Sequence, residues 1–326
     1  MSSSFSVVKP SYLENTNNII VNGNLTVNGT VSNYVDISLN SLAENTISSF
    51  GNFSGPNKWV GGVLAPNGKI YGIPHNSSSV LIIDPVTNTA DTTTISGLSG
   101  ILGKWQGGVL APNGKIYGIP SDSTSVLIID PVTNTADTTT ISGLSTATRY
   151  GGVLAPNGKI YCISTPSVLI IDPVTNTADT TTITGIIGIQ RWSGGVLAPN
   201  GKIYCIPYSS PIVMIIDPVT NTAVTSTITG IIGFFKWYGG VLAPNGKIYG
   251  IPSDSTSVLI IDPVTNTADR NTISGLSTDT FKFRGGVLAP NGKIYGIPLN
   301  STSVLVINTG LPKHPPWMLK PQFNKL

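Results

Sequence analysis

One phrase is written six times in this chain. The stretch GGVLAPNGKIYGIP at Gly107 returns, slightly altered, at Gly61, Gly151, Gly194, Gly239 and Gly285, so successive copies begin 46, 44, 43, 45 and 46 residues apart. A period in the forties belongs to propeller blades or to arrays of paired helices. The unit itself separates the two. It reads GGVLAP, NG, KIYGIP, SDSTS, VLIIDP, VTN, TADTTTISGLS. That is four short apolar or β-branched runs, each stopped by Pro, Gly, Asn or Ser, with no 3.6-residue apolar rhythm beyond one turn. The pattern predicts four strands per unit.

Each connection carries its own turn chemistry. APNGK sets Pro before Asn-Gly, which suits a tight turn ending in a left-handed glycine and closes a hairpin between the first two strands. In DPVTN the Asp side chain can accept forward backbone amides and Pro fixes its own φ, so the third strand turns sharply into the fourth. SVLIID is almost wholly apolar, as a strand covered on both faces must be. TADTTTIS is Thr-rich and alternating, as expected of an outer, half-wet strand.

A blade of four strands cannot bury its two faces alone, whereas blades set around an axis bury both. Six copies therefore predict an all-β, six-bladed β-propeller of four-stranded blades. The last copy, from Gly285 to Asn308, lacks its fourth strand, and ENTISSFGNFSG, from Glu44 to Gly55, matches the end of a unit plus its link. Asn45–Phe50 is expected to supply the outer strand of the last blade and so close the ring. A seventh blade from NIIVNGNLTVNGTVSNYVDIS is the alternative, but that segment has neither a GG doublet nor APNGK. The expected division is an N-terminal β arm (1–43), the propeller (44–311) and an extended Pro-rich tail (312–326).

The phrase GGVLAPNGKIYGIP…SVLIIDPVTNTADTTTISG resembles the YVTN-type β-propeller repeats of surface and cell-envelope proteins, in which a SPDGK hairpin precedes a V-IDT-TNTV-ATI segment. It departs from them in APNGK and in the GG doublets. The resemblance covers about residues 44–308 and implies a binding or structural role. Separately, VNGNLTVNGTV in the arm resembles segments of phage and giant-virus fibre and virion proteins, which implies attachment or oligomerisation through the arm. A local hairpin packed on the propeller is the plainer alternative for that segment.

Bulk chemistry narrows the functions. With 40% hydrophobic and 10% charged residues, the chain is too apolar for disorder. A formal charge of +3 does not suggest a nucleic-acid partner. No apolar run reaches the ~20 residues that cross a bilayer, and no leader is evident at the N-terminus, so the expected place of synthesis is the cytoplasm. Titratable chemistry is sparse. Of fifteen acids, nine recur in register: Asp84, Asp130, Asp172, Asp217 and Asp262 before the Pro, and Asp91, Asp137, Asp179 and Asp269 in the outer strand. Only His75 and His314 could serve a nucleophilic triad. Cys162 and Cys205 stand at one position of adjacent copies, too far apart for a disulfide at usual blade spacing, and with no further ligands a zinc site is not expected. The expectations are no enzyme, no metal and no cofactor.

The lysines of APNGK and the aspartates of IIDP fall at one end of the blades, where their charges cancel. The other end holds the variable loops. There the links end in aromatic–basic pairs: Lys58-Trp59, Lys104-Trp105, Arg149-Tyr150, Arg191-Trp192, Lys236-Trp237 and Lys282-Phe283. Such pairs can stack on sugars, bind an anion or grip a protein. They can equally wedge between blades while the cation reaches back to water. The expected function is a non-enzymatic structural or interaction protein, a virion component joined to other structural proteins, or to copies of itself, by arm and tail. The alternative is a lectin-like propeller using the aromatic–basic end for glycans, located in the cytoplasm or at the cell surface.

Overall fold

The computed structural model describes residues 49–186 and 192–309. The chain divides into two units, Met1–Ser49 and Phe50–Leu326, and the second carries the repeats. In it six antiparallel sheets succeed one another along the chain, five of four strands and the last of three, each pairing its strands in sequence order. No helix occurs among the described residues. Blade 1 comprises Trp59–Leu64, Ile70–Pro74, Leu81–Asp84 and Thr89–Asp91. Blades 2 to 6 repeat this plan over 105–137, 152–179, 192–228, 237–269 and 283–308.

The turns behave as their residues dictate. In the first hairpin Gly68 takes φ +80°, its amide donates to Ala65 O, and the Ala65 amide donates to Lys69 O. In the DPVTN turn, Asp84 Oδ1 accepts from the Val86 and Thr87 amides at 2.9 and 3.3 Å. The outer strand is shorter than its Thr-rich run suggests. After Thr89–Asp91, Asp91 Oδ1 accepts from the Thr93 amide and hydroxyl, both at 2.7 Å, and turns the chain out of the ladder. Blade 4 has Val224 where the other outer strands have Asp, and with no carboxylate to capture those amides its outer strand runs from Thr222 to Ile228.

Blades pack face to face. Val63, Tyr71, Ile73, Val80 and Ile82 of blade 1 form one core with Trp105, Ile116, Leu127 and Ile129 of blade 2, and equivalent cores join blades 2–3, 3–4, 4–5 and 5–6. A latch tightens four of these interfaces. Asn67 Nδ2 donates to Tyr71 OH and to Pro131 O of the next blade, and Tyr71 OH donates to Asn134 Oδ1 at 2.7 Å. The same triad recurs at Tyr117, Tyr161 and Tyr204. The Tyr of KIYGIP and the Asn residues of both turns are repeated because they bond to one another across blades.

Blade 6 ends the series differently. Among the described residues its onward face is uncovered: Val304 and Ile297 are 55% and 44% exposed, where their counterparts Val80 and Ile73 are both at 0%. Its edge strand Leu305–Asn308 has no fourth partner among the described residues. Of the strand expected at Asn45–Phe50, residues 45–48 lie outside the described residues, and Ser49 and Phe50 are not in a strand.

Candidate ligand-binding mouth of the central cavity

The first strands of all six blades surround a cavity of about 700 Å³. The GG doublet makes this possible. Its first glycine, such as Gly107, takes φ +74° within a bulge that offsets the register between Trp105 and Gly108. Its second packs against the preceding blade: a Cβ on Gly108 would sit 2.7 Å from Ile73 Cδ1. The bulge separates two neighbours in sequence. The residue two before the doublet turns into the interblade core. The residue immediately before it lines the cavity: Val60, Gln106, Tyr150, Ser193, Tyr238 and Arg284.

The aromatic–basic pairs are accordingly split. Trp105, Trp192, Trp237 and Phe283 are buried between blades and Trp59 is half-buried. Each indole donates to a loop carbonyl of its own blade, Trp237 Nε1 to Ser257 O at 2.7 Å and Trp59, Trp105 and Trp192 likewise. The cations also turn to backbone. Lys104 and Lys282 are buried and donate to Ile101 O and Asp279 O at 2.9 and 2.7 Å, while Lys58 and Lys236 donate to Gly55 O and Gly233 O. Arg149 occupies the Trp position of blade 3, donates to Pro120 O at 3.1 Å, and leaves its Nε without a partner. Only Tyr150 of the expected set lines the cavity, and Arg191 lies outside the described residues.

A different set meets at the mouth. Tyr238 lies 5.8 Å from Tyr150 and 5.7 Å from Tyr208, ring centre to ring centre. Phe235 packs on Tyr208 at 5.1 Å, and Phe281 on Phe235 at 5.9 Å. Arg284 stacks over Tyr238, its Cζ 4.7 Å from the ring centre, and donates to Tyr238 OH at 3.0 Å. These side chains come from blades 3 to 6 and their links and make one aromatic platform. Burial raises the Tyr208 hydroxyl pKa, helped by the neighbouring Tyr150 and Asp254. Phe235 and Phe281 have φ +52° and +50°, a left-handed conformation costing a bulky residue about 1–2 kcal/mol. At the corresponding position blades 1 and 2 use Asn57 and Gly103, which tolerate it. Asp254 Oδ1 accepts the Phe281 amide at 2.6 Å and holds that turn. Two exposed phenylalanines are thus kept in a backbone conformation that other blades give to Asn or Gly.

One signal in the sequence could have found Tyr150, Tyr238 and Arg284 of this set: the residue before each GG doublet differs in almost every copy, while the doublet does not. The remaining expectations fall elsewhere. Cys162 and Cys205 are free and buried, with burial pushing the Cys162 thiol up to about 12. His75 Nδ1 bonds to Trp105 O at 3.1 Å. No group of metal-ligating side chains occurs among the described residues. The segments on which the arm, tail and virion expectations rest, 1–43 and 312–326, lie outside the described residues.

No family model matches the chain, and no curated protein does. Among solved structures it is similar to a catalytically inactive variant of virginiamycin B lyase from Staphylococcus aureus with quinupristin, at TM-score 0.63 and 8% identity over 79% of this chain and 84% of that one. It is also similar to the extracellular domain of a one-component system from B. thetaiotaomicron, at TM-score 0.55 and 10% identity over 75% and 32%. A third is an auxiliary nutrient binding protein from Bacteroides ovatus, at 0.51 and 14% over 74% and 66%. At these identities the likeness shows the fold, a β-propeller, and nothing finer. The YVTN-type resemblance is carried by no family model. The expectation of a non-enzyme is corrected: solved structures of this fold include a lyase, so the architecture is one on which catalysis occurs.

Proposed function

We propose that the chain is a binding propeller that holds a ring-bearing ligand on the aromatic platform at the mouth of its central cavity. One observation carries this. Copies nearly identical wherever blades pack diverge at the cavity-lining position before each GG doublet: Val60, Gln106, Tyr150, Ser193, Tyr238 and Arg284. Repeated residues maintain the ring; the varied ones differentiate its opening. The cavity volume of about 700 Å³ falls within the range of small-molecule sites. Flat aromatic faces near water suit sugar or aryl rings. In other chains the fold is found with a ligand or named for binding one: the lyase with quinupristin and the nutrient-binding protein.

Saturation-transfer NMR on the full chain with a panel of oligosaccharides and aryl compounds tests the proposal. Tyr238→Ala should abolish transfer to whichever members bind. Phe281→Asn should weaken it while leaving the melting temperature unchanged or slightly raised, since Asn tolerates the left-handed turn. Equal transfer in wild type and both variants refutes the assignment.

A further inference from the structure

The two ends of the propeller treat positive charge differently. At the hairpin end Lys69, Lys115, Lys159, Lys202 and Lys247 each pair with the Asp of their own blade, at 2.9–3.5 Å. At the mouth end Lys104, Arg149, Lys236 and Lys282 are buried, and among the described residues none has a carboxylate within ion-pair distance. They rest on backbone carbonyls. Burial lowers the pKa of all four, that of Lys236 to about 8, as befits cations without a close counter-charge. Only at Lys282 do carboxylates, those of Asp254 and Asp279, offset part of that effect. None of the four lines the cavity, but with the exposed Arg284 they outnumber the carboxylates of the same loops and links, Asp122, Asp254 and Asp279, which biases this end toward anions.

Arg284, by contrast, lines the cavity itself. It is exposed, forms no ion pair among the described residues, and lies over the Tyr238 ring. A guanidinium has five N–H donors, and the Tyr238 hydroxyl takes one bond. Asp254 Oδ1 accepts from the Phe281 amide and the Ser253 hydroxyl, and Asp254 forms no ion pair with Arg284 among the described residues. A guanidinium fixed by stacking, with donors to spare, is pre-organised for a carboxylate.

We infer that the ligand of the aromatic platform carries a ring-borne carboxylate, received by Arg284 while the ring lies against Tyr150 and Tyr238, which line the cavity; a uronic acid residue and an aryl acid share this chemistry. The inference rests on the platform reading above and adds the charge of the ligand to it.

Isothermal titration of the full chain with tri-galacturonate, its methyl ester, benzoate and benzamide separates the two claims. The expected result is that one acid binds and its neutral counterpart binds about tenfold more weakly or worse, the usual scale for losing a charged hydrogen bond. Arg284→Gln should reduce the acid to the level of its neutral counterpart, and Arg284→Lys should recover part of the loss. Raising the salt concentration should weaken only the acid. Preference for tri-galacturonate or for benzoate tells which source of carboxylate the site takes. If acid and neutral forms bind equally and Tyr238→Ala abolishes both, the carboxylate inference falls and the platform stands. If none of the four compounds binds, the carboxylate inference falls. Because ester and acid are compared on the unaltered protein, the result does not depend on any variant folding.

Discussion

The hairpin end and the mouth end of this propeller are built from the same six units, yet only one of them is uniform. At the hairpin end the same Asn–Tyr–Asn latch and the same Lys–Asp pair appear blade after blade. At the mouth the corresponding positions of six units hold Val60, Gln106, Tyr150, Ser193, Tyr238 and Arg284, with rings from two links added. The contrast locates where packing constrains the chain. A residue that fills an interblade core has one acceptable shape, so it is repeated. A residue that opens on the cavity is not held to the shape of an interblade core and is free to be specialised.

Truncating one residue of each kind puts that contrast to its severest test. Trp237→Ala, in a core and 1% exposed, should cost about 3–5 kcal/mol in denaturant unfolding. Arg284→Ala, next in sequence to the equivalent core residue Phe283 of the following blade, should stay within about 0.5 kcal/mol. A large loss for Arg284→Ala would mean that the mouth is structural as well. A smaller effect should come from the latch. Tyr161→Phe removes a hydroxyl that receives a bond from Asn157 at 2.9 Å and gives one to Asn221 at 2.5 Å. Leaving those amides unsatisfied should cost about 1–3 kcal/mol, read from the shift in urea midpoint.

The smallest expected effect is acid sensitivity of the outer strands. The Thr140 and Thr182 hydroxyls, aided by backbone amides, hold Asp137 and Asp179 down to about 2. A folded-state pKa below the ordinary value means that the contribution is fully present above pH ~4 and is lost as pH falls toward 2. Unfolding midpoints measured across that window should decline, and less steeply in Asp137→Asn and Asp179→Asn. These carboxylates are half-exposed, so the slope should be shallow. An unchanged slope in both variants would place the acid sensitivity elsewhere.

Much of the architecture was legible in residues that are neighbours along the chain. APNGK announced its left-handed glycine, DPVTN its Asp-capped turn, and SVLIID its strand buried on both sides. The aromatic–basic pairs show where such reasoning runs out. Lys236 and Trp237 are adjacent in sequence and variable in their company, which invited a binding role; the structure buries both and exposes Tyr238 to the cavity instead. Successive strand residues face opposite ways, and a bulge at the next position decides which of them turns inward. That parity is not written in residue type.

The repeating unit is therefore encoded in the order of its residues alone: its strands, its turns and the need of each copy for a neighbour come from local backbone preference and from apolar area that must be covered. The company kept at the mouth is a product of assembly in three dimensions. Tyr150, Tyr208, Tyr238 and the pair Phe281 and Arg284 are drawn from four separate units, and no local preference encodes their meeting. They converge because six first strands, five of them bulged at the same glycines, are set around a common axis by cores that lie elsewhere in the blades.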